Sequence, residues 1–201
     1  MDSQAIEIEL VTRAQAGDAD AFSRLRERLL PLVQRFVRRQ IRHTEVVEDI
    51  VQEAFVALYA HLSQLDPPSR LRPYLFRIAR NLCYDELRRR GRLEPLSVNE
   101  DPIPFADASV PLNDPAASPD EVMHWLSLYL EVQNAMERLP EAHRMTLILF
   151  AEEELSYTEI AEAMRTSIGT VKSRIFYARK ALRLGLRPEV VKVLDEALRG
   201  A

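Results

Sequence analysis

Apolar residues in the stretch "TEVVEDIVQEAFVALYAHL" recur at steps of three and four: Val47, Ile50, Val51, Ala54, Phe55, Leu58 and Leu62. That period lays a single stripe along a helix and predicts one buried side. A second stripe, Leu75, Ile78, Ala79, Leu82 and Leu87, predicts a helix in "RPYLFRIARNLCYDELRRRGR". Pro73 suits its first turn, where a missing amide loses no partner. Farther on, Ser156 with Glu159 three residues later forms a capping box that starts a short helix carrying Ile160, Ala161 and Met164 inward. After a brief turn at "RTS", Ile168, Val171, Ile175, Ala178 and Leu182 make the stripe of another helix. Two short helices joined by so brief a turn form a helix-turn-helix, whose second member is the recognition helix.

Between these groups, "LEPLSVNEDPIPFADASVPLNDPAASPDE" mixes prolines with Asp, Asn and Ser and follows neither period. Prolines remove amide donors and the carboxylates repel one another, so this segment reads as a flexible acidic linker. The chain of 201 residues, with only 5 Gly to interrupt its helices, therefore divides into two small domains. The expected fold is all-α: a helical domain over 5–93, the linker over 94–121, a second helical domain over 122–185 and a tail over 186–201. In the tail, Val190, Val191, Leu194 and Leu198 would line one side of a short amphipathic helix.

Charge changes this picture. A net charge of -4 would ordinarily argue against a nucleic-acid partner. The distribution reverses that reading: bases outnumber acids from Arg70 to Arg92, only acids occur from Glu94 to Glu121, and only bases from Arg165 to Arg187. Each helix then has a polar face to explain. Glu48, Asp49, Gln52 and Glu53 lie opposite the first stripe, either solvated or as a dock for a basic partner helix. Arg77, Arg80, Asn81, Tyr84 and Arg88 share a side of the next helix. Interleaved with Tyr74, Phe76 and Tyr84, they suit single-stranded nucleic acid, because cations track phosphates and rings stack on unpaired bases. The plainer alternative puts Phe76 in the core and leaves the arginines to solubilise. On the recognition helix, Thr170, Ser173 and Tyr177 point outward, with Ser167 at its start and Lys172, Arg174 and Lys180 on its flanks. Small hydroxyls bond base edges or phosphates, and Arg can take guanine bidentately.

The single Cys83 excludes an internal disulfide and, with no ligand-spaced partner, reads as a buried structural thiol. His43, His61, His124 and His143 are scattered, so neither a metal nor another cofactor is expected. The absence of a signal-like start and of a long apolar run points to the cytoplasm without membrane insertion.

The words "EDIVQEAF", "YLFRIARNLCYDELRRR", "LPEAHRMTLILFAEEELSYTEIAEAM" and "GTVKSRIFYARKALR" stand in the order found in bacterial sigma factors of the extracytoplasmic-function class. The chain resembles that class, which retains only the second and fourth sigma domains, over about residues 10–184. The resemblance implies that Asp49, Gln52 and Glu53 bind the clamp helices of the RNA polymerase largest subunit. It implies that the helix bearing Tyr74, Phe76, Arg77, Arg80, Asn81, Tyr84 and Arg88 recognises the minus-ten element and holds the opened strand. Ser167, Thr170, Lys172, Ser173, Arg174, Tyr177 and Lys180 would then meet the minus-35 element as duplex DNA. Core RNA polymerase, promoter DNA and an anti-sigma factor are the partners implied, and no catalytic residue is expected. Three positions depart from the family pattern: Arg165 where Gly is frequent in the turn, Tyr177 where Arg is common, and Pro73-Tyr74 in place of a Trp context. A left-handed backbone at Arg165 would cost about 1 kcal/mol. A dimeric helix-turn-helix regulator would account for the C-terminal half equally well but leaves "EDIVQEAF" unexplained. A pure protein-interaction module would bind partners without starting transcription.

Overall fold

The computed structural model describes residues 3–41, 43–89 and 119–197, and among these every regular element is helical. Helix α1 (Ser3–Gln15) passes into α2 (Ala19–Arg38) through Gly17, whose φ of 94° lies in the left-handed region that glycine enters without a Cβ clash. Asp18 caps α2. Its Oδ1 accepts from the Ala21 amide at 3.0 Å, while Oδ2 accepts from Arg13 Nη2 at 2.7 Å. Helix α3 (Thr44–His61) buries the whole predicted stripe, Val47, Ile50, Val51, Ala54, Phe55 and Leu58, with Leu62 just beyond its end. Helix α4 (Leu71–Arg89) packs on α2 and α3. There Phe76 meets Phe36 edge to face, with ring centroids 5.3 Å apart. Arg72 of α4 also donates from Nε and Nη2 to the buried carboxylate of Glu7 on α1, at 2.9 and 2.8 Å. This pair joins the two ends of the four-helix unit.

The second unit contains α5 (Pro119–Glu137), α6 (Glu141–Ala151), α7 (Tyr157–Met164), α8 (Ile168–Gly185) and α9 (Pro188–Ala197). Met145, Ile148 and Leu149 of α6 pack against Ile160 of α7 and against Val171, Ile175, Ala178 and Leu182 of α8. The capping box is present: Ser156 Oγ accepts from the Glu159 amide at 3.3 Å, and Glu159 Oε2 accepts from the Ser156 amide at 2.9 Å. In the tail, Val190 is buried and Val191 half-buried. The side chain of Leu194, all of Leu198 and nearly all of the predicted linker fall outside the described residues.

Three expectations change. Ile168 was placed on the inward stripe of the recognition helix, yet as the first residue of α8, next to the Ser167 cap, it is 42% exposed. In α4, Ile78 and Leu82 are half-buried rather than core, lying at the margin of the stripe. The sequence reading also assigned no contact between the two domains. In the structure α7 lies along α4, and the turn between α6 and α7 meets α2.

Candidate nucleic-acid interface

The burial of the apolar stripe of α3 leaves Glu48, Asp49, Gln52 and Glu53 exposed on its outer side. Val56 and Tyr59 continue that face, at 62% and 64% exposure. The sequence reading passed over both. They fall out of phase with the stripe, and two apolar residues on an otherwise acidic outer face are the signal that could have found them. Phe22 of α2 packs edge-on to the Tyr59 ring at 4.8 Å, so this ring is held rather than free to collapse.

On α4 the structure brings most of the predicted strand-binding residues together. Arg77 lies over the Tyr74 ring at 4.7 Å and Arg80 over the Tyr84 ring at 5.7 Å, two cation–π pairs one turn apart. Arg80 Nη2 donates to Asn81 Oδ1 at 2.7 Å, which orients the neighbouring amide. Arg88 is exposed near Asp85, at 3.7 Å. Phe76 requires a correction: at 1% exposure, against Phe36, it belongs to the core and has no face to offer a base. Burial is the first cause that lowers the Arg80 guanidinium below its ordinary value; Tyr84 opposes it, and Arg165, Arg174 and Arg77 add to it. Burial likewise raises Tyr84, with Glu141 next. Arg80 thus stands half-buried among cations from both domains.

The recognition helix begins at Ser167, whose Oγ accepts from the Thr170 amide at 3.0 Å and shares a hydrogen bond with Thr170 Oγ1 at 2.9 Å. Ser173 Oγ donates to the Gly169 carbonyl at 3.0 Å. The three hydroxyls therefore have partners within α8, and each retains acceptor capacity for an incoming donor. Lys172, Ser173, Tyr177 and Lys180 are exposed, and Thr170 and Arg174 half-buried. Phe176, missed by the sequence reading, is exposed at 62% beside Tyr177. It stands outside the three-and-four stripe of Val171, Ile175, Ala178 and Leu182, and a large apolar residue off that stripe is the signal that could have found it. Arg165 closes α7 with φ 48° and ψ 53°: the left-handed turn is kept in spite of the missing glycine. The Arg165 amide donates to the Glu162 carbonyl at 3.2 Å and the Thr166 amide to the Ala161 carbonyl at 2.9 Å, which satisfies carbonyls at the helix end.

The helix-turn-helix, the cation and aromatic helix and the acidic helix occur in one chain, and comparison with known proteins decides between the readings they permit. The family model described as Sigma-70 region 2 matches residues 25–93, and that described as Sigma-70, region 4 matches residues 129–182. The chain belongs to the extracytoplasmic-function sigma factors. This sigma factor is 35% identical to RNA polymerase sigma-H factor of Pseudomonas aeruginosa over 193 residues, covering 94% of this chain and 97% of that one. It is 35% identical to the sigma-E factor of Escherichia coli over 189 residues, covering 94% and 98%. Among solved structures it is similar to the sigma factor RpoE of Bartonella quintana in its co-crystal with the anti-sigma factor NepR. There the TM-score is 0.63 at 26% identity, over 86% of this chain and 97% of that chain. As a member of this non-catalytic class, the sigma factor binds core RNA polymerase and directs it to promoters. The dimeric regulator is not favoured, since the match extends across both halves. No helix among the described residues is long and apolar enough to cross a membrane.

Proposed function

We propose that the sigma factor divides its work among three surfaces, with no covalent step of its own and RNA synthesis left to the polymerase. Asp49, Gln52 and Glu53, extended by Val56 and Tyr59, dock the basic clamp helices of the polymerase. Tyr74, Arg77, Arg80, Asn81, Tyr84 and Arg88 capture the opened minus-ten strand, guanidinium groups on phosphates and rings on unstacked bases. Ser167, Thr170, Lys172, Ser173, Arg174, Tyr177 and Lys180, with Phe176, meet the minus-35 duplex in the major groove. Residues 5–93 then act as sigma domain 2 and residues 122–185 as sigma domain 4, working in the cytoplasm and held in check by an anti-sigma factor.

The observation that carries this reading is the pairing of Arg77 with Tyr74 and Arg80 with Tyr84 along one side of α4. A duplex-only regulator has no use for rings set between cations, whereas an opened strand needs both. The test is reconstitution with bacterial core polymerase on a genomic DNA library, followed by mapping of transcript starts. New starts preceded by two spaced elements are expected. Arg80→Ala should abolish them under conditions in which duplex binding at the upstream element persists. Unchanged initiation by Arg80→Ala would overturn the strand assignment.

A further inference from the structure

The turn between α6 and α7 places a carboxylate where few survive. Glu153 has a side chain 0% exposed, and it rests against Arg35 of α2, a residue of the other domain. Arg35 Nε and Nη2 donate to the two Glu153 oxygens at 3.0 and 2.9 Å, and Nη2 also donates to the Glu152 carbonyl at 3.0 Å. One turn along α2, Arg39 Nε reaches Glu152 Oε1 at 3.2 Å and Arg39 Nη1 donates to Tyr129 Oη at 2.8 Å. Arg70 Nε donates to Glu162 Oε1 at 2.8 Å across the same boundary. Burial pushes the Glu153 carboxyl up while the bidentate Arg35 guanidinium opposes that rise, so Arg35 and Glu153 hold each other in place while the domains touch. Both sit at an interface, so parting the domains returns each to water; such a pair can open without unfolding either domain.

Other groups at the seam oppose closure. Arg80 of α4 stands close enough to Arg165 and Arg174 of the helix-turn-helix for both to weaken its charged form. Arg80 Nε is buried without a hydrogen-bond acceptor among the described residues. Asn81 and Tyr84 are half-buried beside it. Cations from two nucleic-acid-binding faces are thus pressed together. The closed arrangement is favoured by one set of contacts and opposed by another, as a two-state element requires.

We propose that the Arg35 and Arg39 contacts with Glu152 and Glu153 form an inhibitory latch that holds the helix-turn-helix domain over the strand-binding face of α4, so that the free sigma factor cannot engage an opened strand until the domains part. The proposal rests on the assignment of α4 to strand capture. If the closed form holds about nine molecules in ten, opening raises the apparent affinity for single strands about tenfold.

The test uses the full-length chain, Arg35→Ser and the milder Arg39→Ala and Arg70→Ala. The two milder variants remove partly exposed partners and keep the test available if Arg35→Ser fails to fold. Small-angle scattering reads domain separation, and fluorescence anisotropy reads binding of a labelled random single-stranded 12-mer. The expected result is a larger radius of gyration together with about tenfold tighter binding in the latch variants. An unchanged radius of gyration overturns the latch, whatever α4 binds. A larger radius with unchanged binding overturns the inhibitory role. In that case Arg80→Ala in reconstituted holoenzyme separates the causes: loss of initiation keeps the strand assignment and discards only the masking, while normal initiation discards the assignment itself.

Discussion

Arg165 offers a sharp test of the backbone in the helix-turn-helix. Its φ of 48° and ψ of 53° cost a residue with a Cβ about 1–2 kcal/mol relative to glycine. Glycine gives part of this back through the extra freedom of the unfolded chain, about 0.4–1 kcal/mol. Arg165→Gly should therefore stabilise the domain by about 0.5–1 kcal/mol net. Arg165→Ala is the control. It removes the same cation from beside Arg80 but keeps the Cβ, so the difference between the two variants isolates the backbone from the charge. Urea unfolding followed by circular dichroism measures both, with unchanged m-values required before midpoints are compared. In a chain of this size the gain corresponds to a rise in Tm of roughly 1–4 °C. If the Arg165→Gly and Arg165→Ala proteins unfold at the same midpoint, or the alanine variant is the more stable, the left-handed turn is wrong.

Three further outcomes follow from the same structure. Tyr59→Ala should weaken binding to core polymerase about tenfold, in the range of an exposed aromatic anchor, while loss of its edge contact with Phe22 costs only about 0.5–1.5 kcal/mol of stability; an unaltered affinity in a pull-down titration would remove Tyr59 from the docking face. The Ala21 amide first, and Arg13 after it, hold the Asp18 carboxyl below its ordinary value, so the stability it lends is whole above about pH 4 and is lost as pH falls through the lowered folded value. Asp18→Asn keeps the cap acceptor without the titration and should flatten the acid limb of stability, and a slope identical to that of the parent would refute the assignment. Burial, followed by Glu141 and Glu86, pushes the Cys83 thiol well up. Ellman's reagent should leave it untouched in the native protein and react at once in guanidinium, so rapid native labelling would contradict its place in the core.

Helix positions were legible because burial enforces the 3.6-residue period: the stripe of α3 and the capping box at Ser156 stand as the spacing predicts. The family match came from motif order across both halves, a signal that no single helix carries. The fate of Phe76 was harder to read. Aromatic residues serve both cores and stacking faces, and only the position of Phe36 across the helix pair decides which. Val56, Tyr59 and Phe176 were missed because attention to charge passes over apolar residues that stand outside the stripe. The seam was invisible for a different reason. Arg35 and Glu153 are 118 residues apart, and nothing local marks either as a partner of the other.

That separation bears on how the chain comes to be folded. Within each domain, helices adjacent in the chain pack on one another: α1 with α2, α2 with α3, α3 with α4, α7 with α8. Such local pairing closes small loops and suits rapid folding, whereas the docking of α7 on α4 must wait until both units exist. The N-terminal domain therefore emerges from the ribosome and folds with α4 open, and α7 docks on it only when the last third of the chain has been made. Stopped-flow refolding should show this as a fast phase that Arg39→Ala leaves alone and a slower docking phase that it removes.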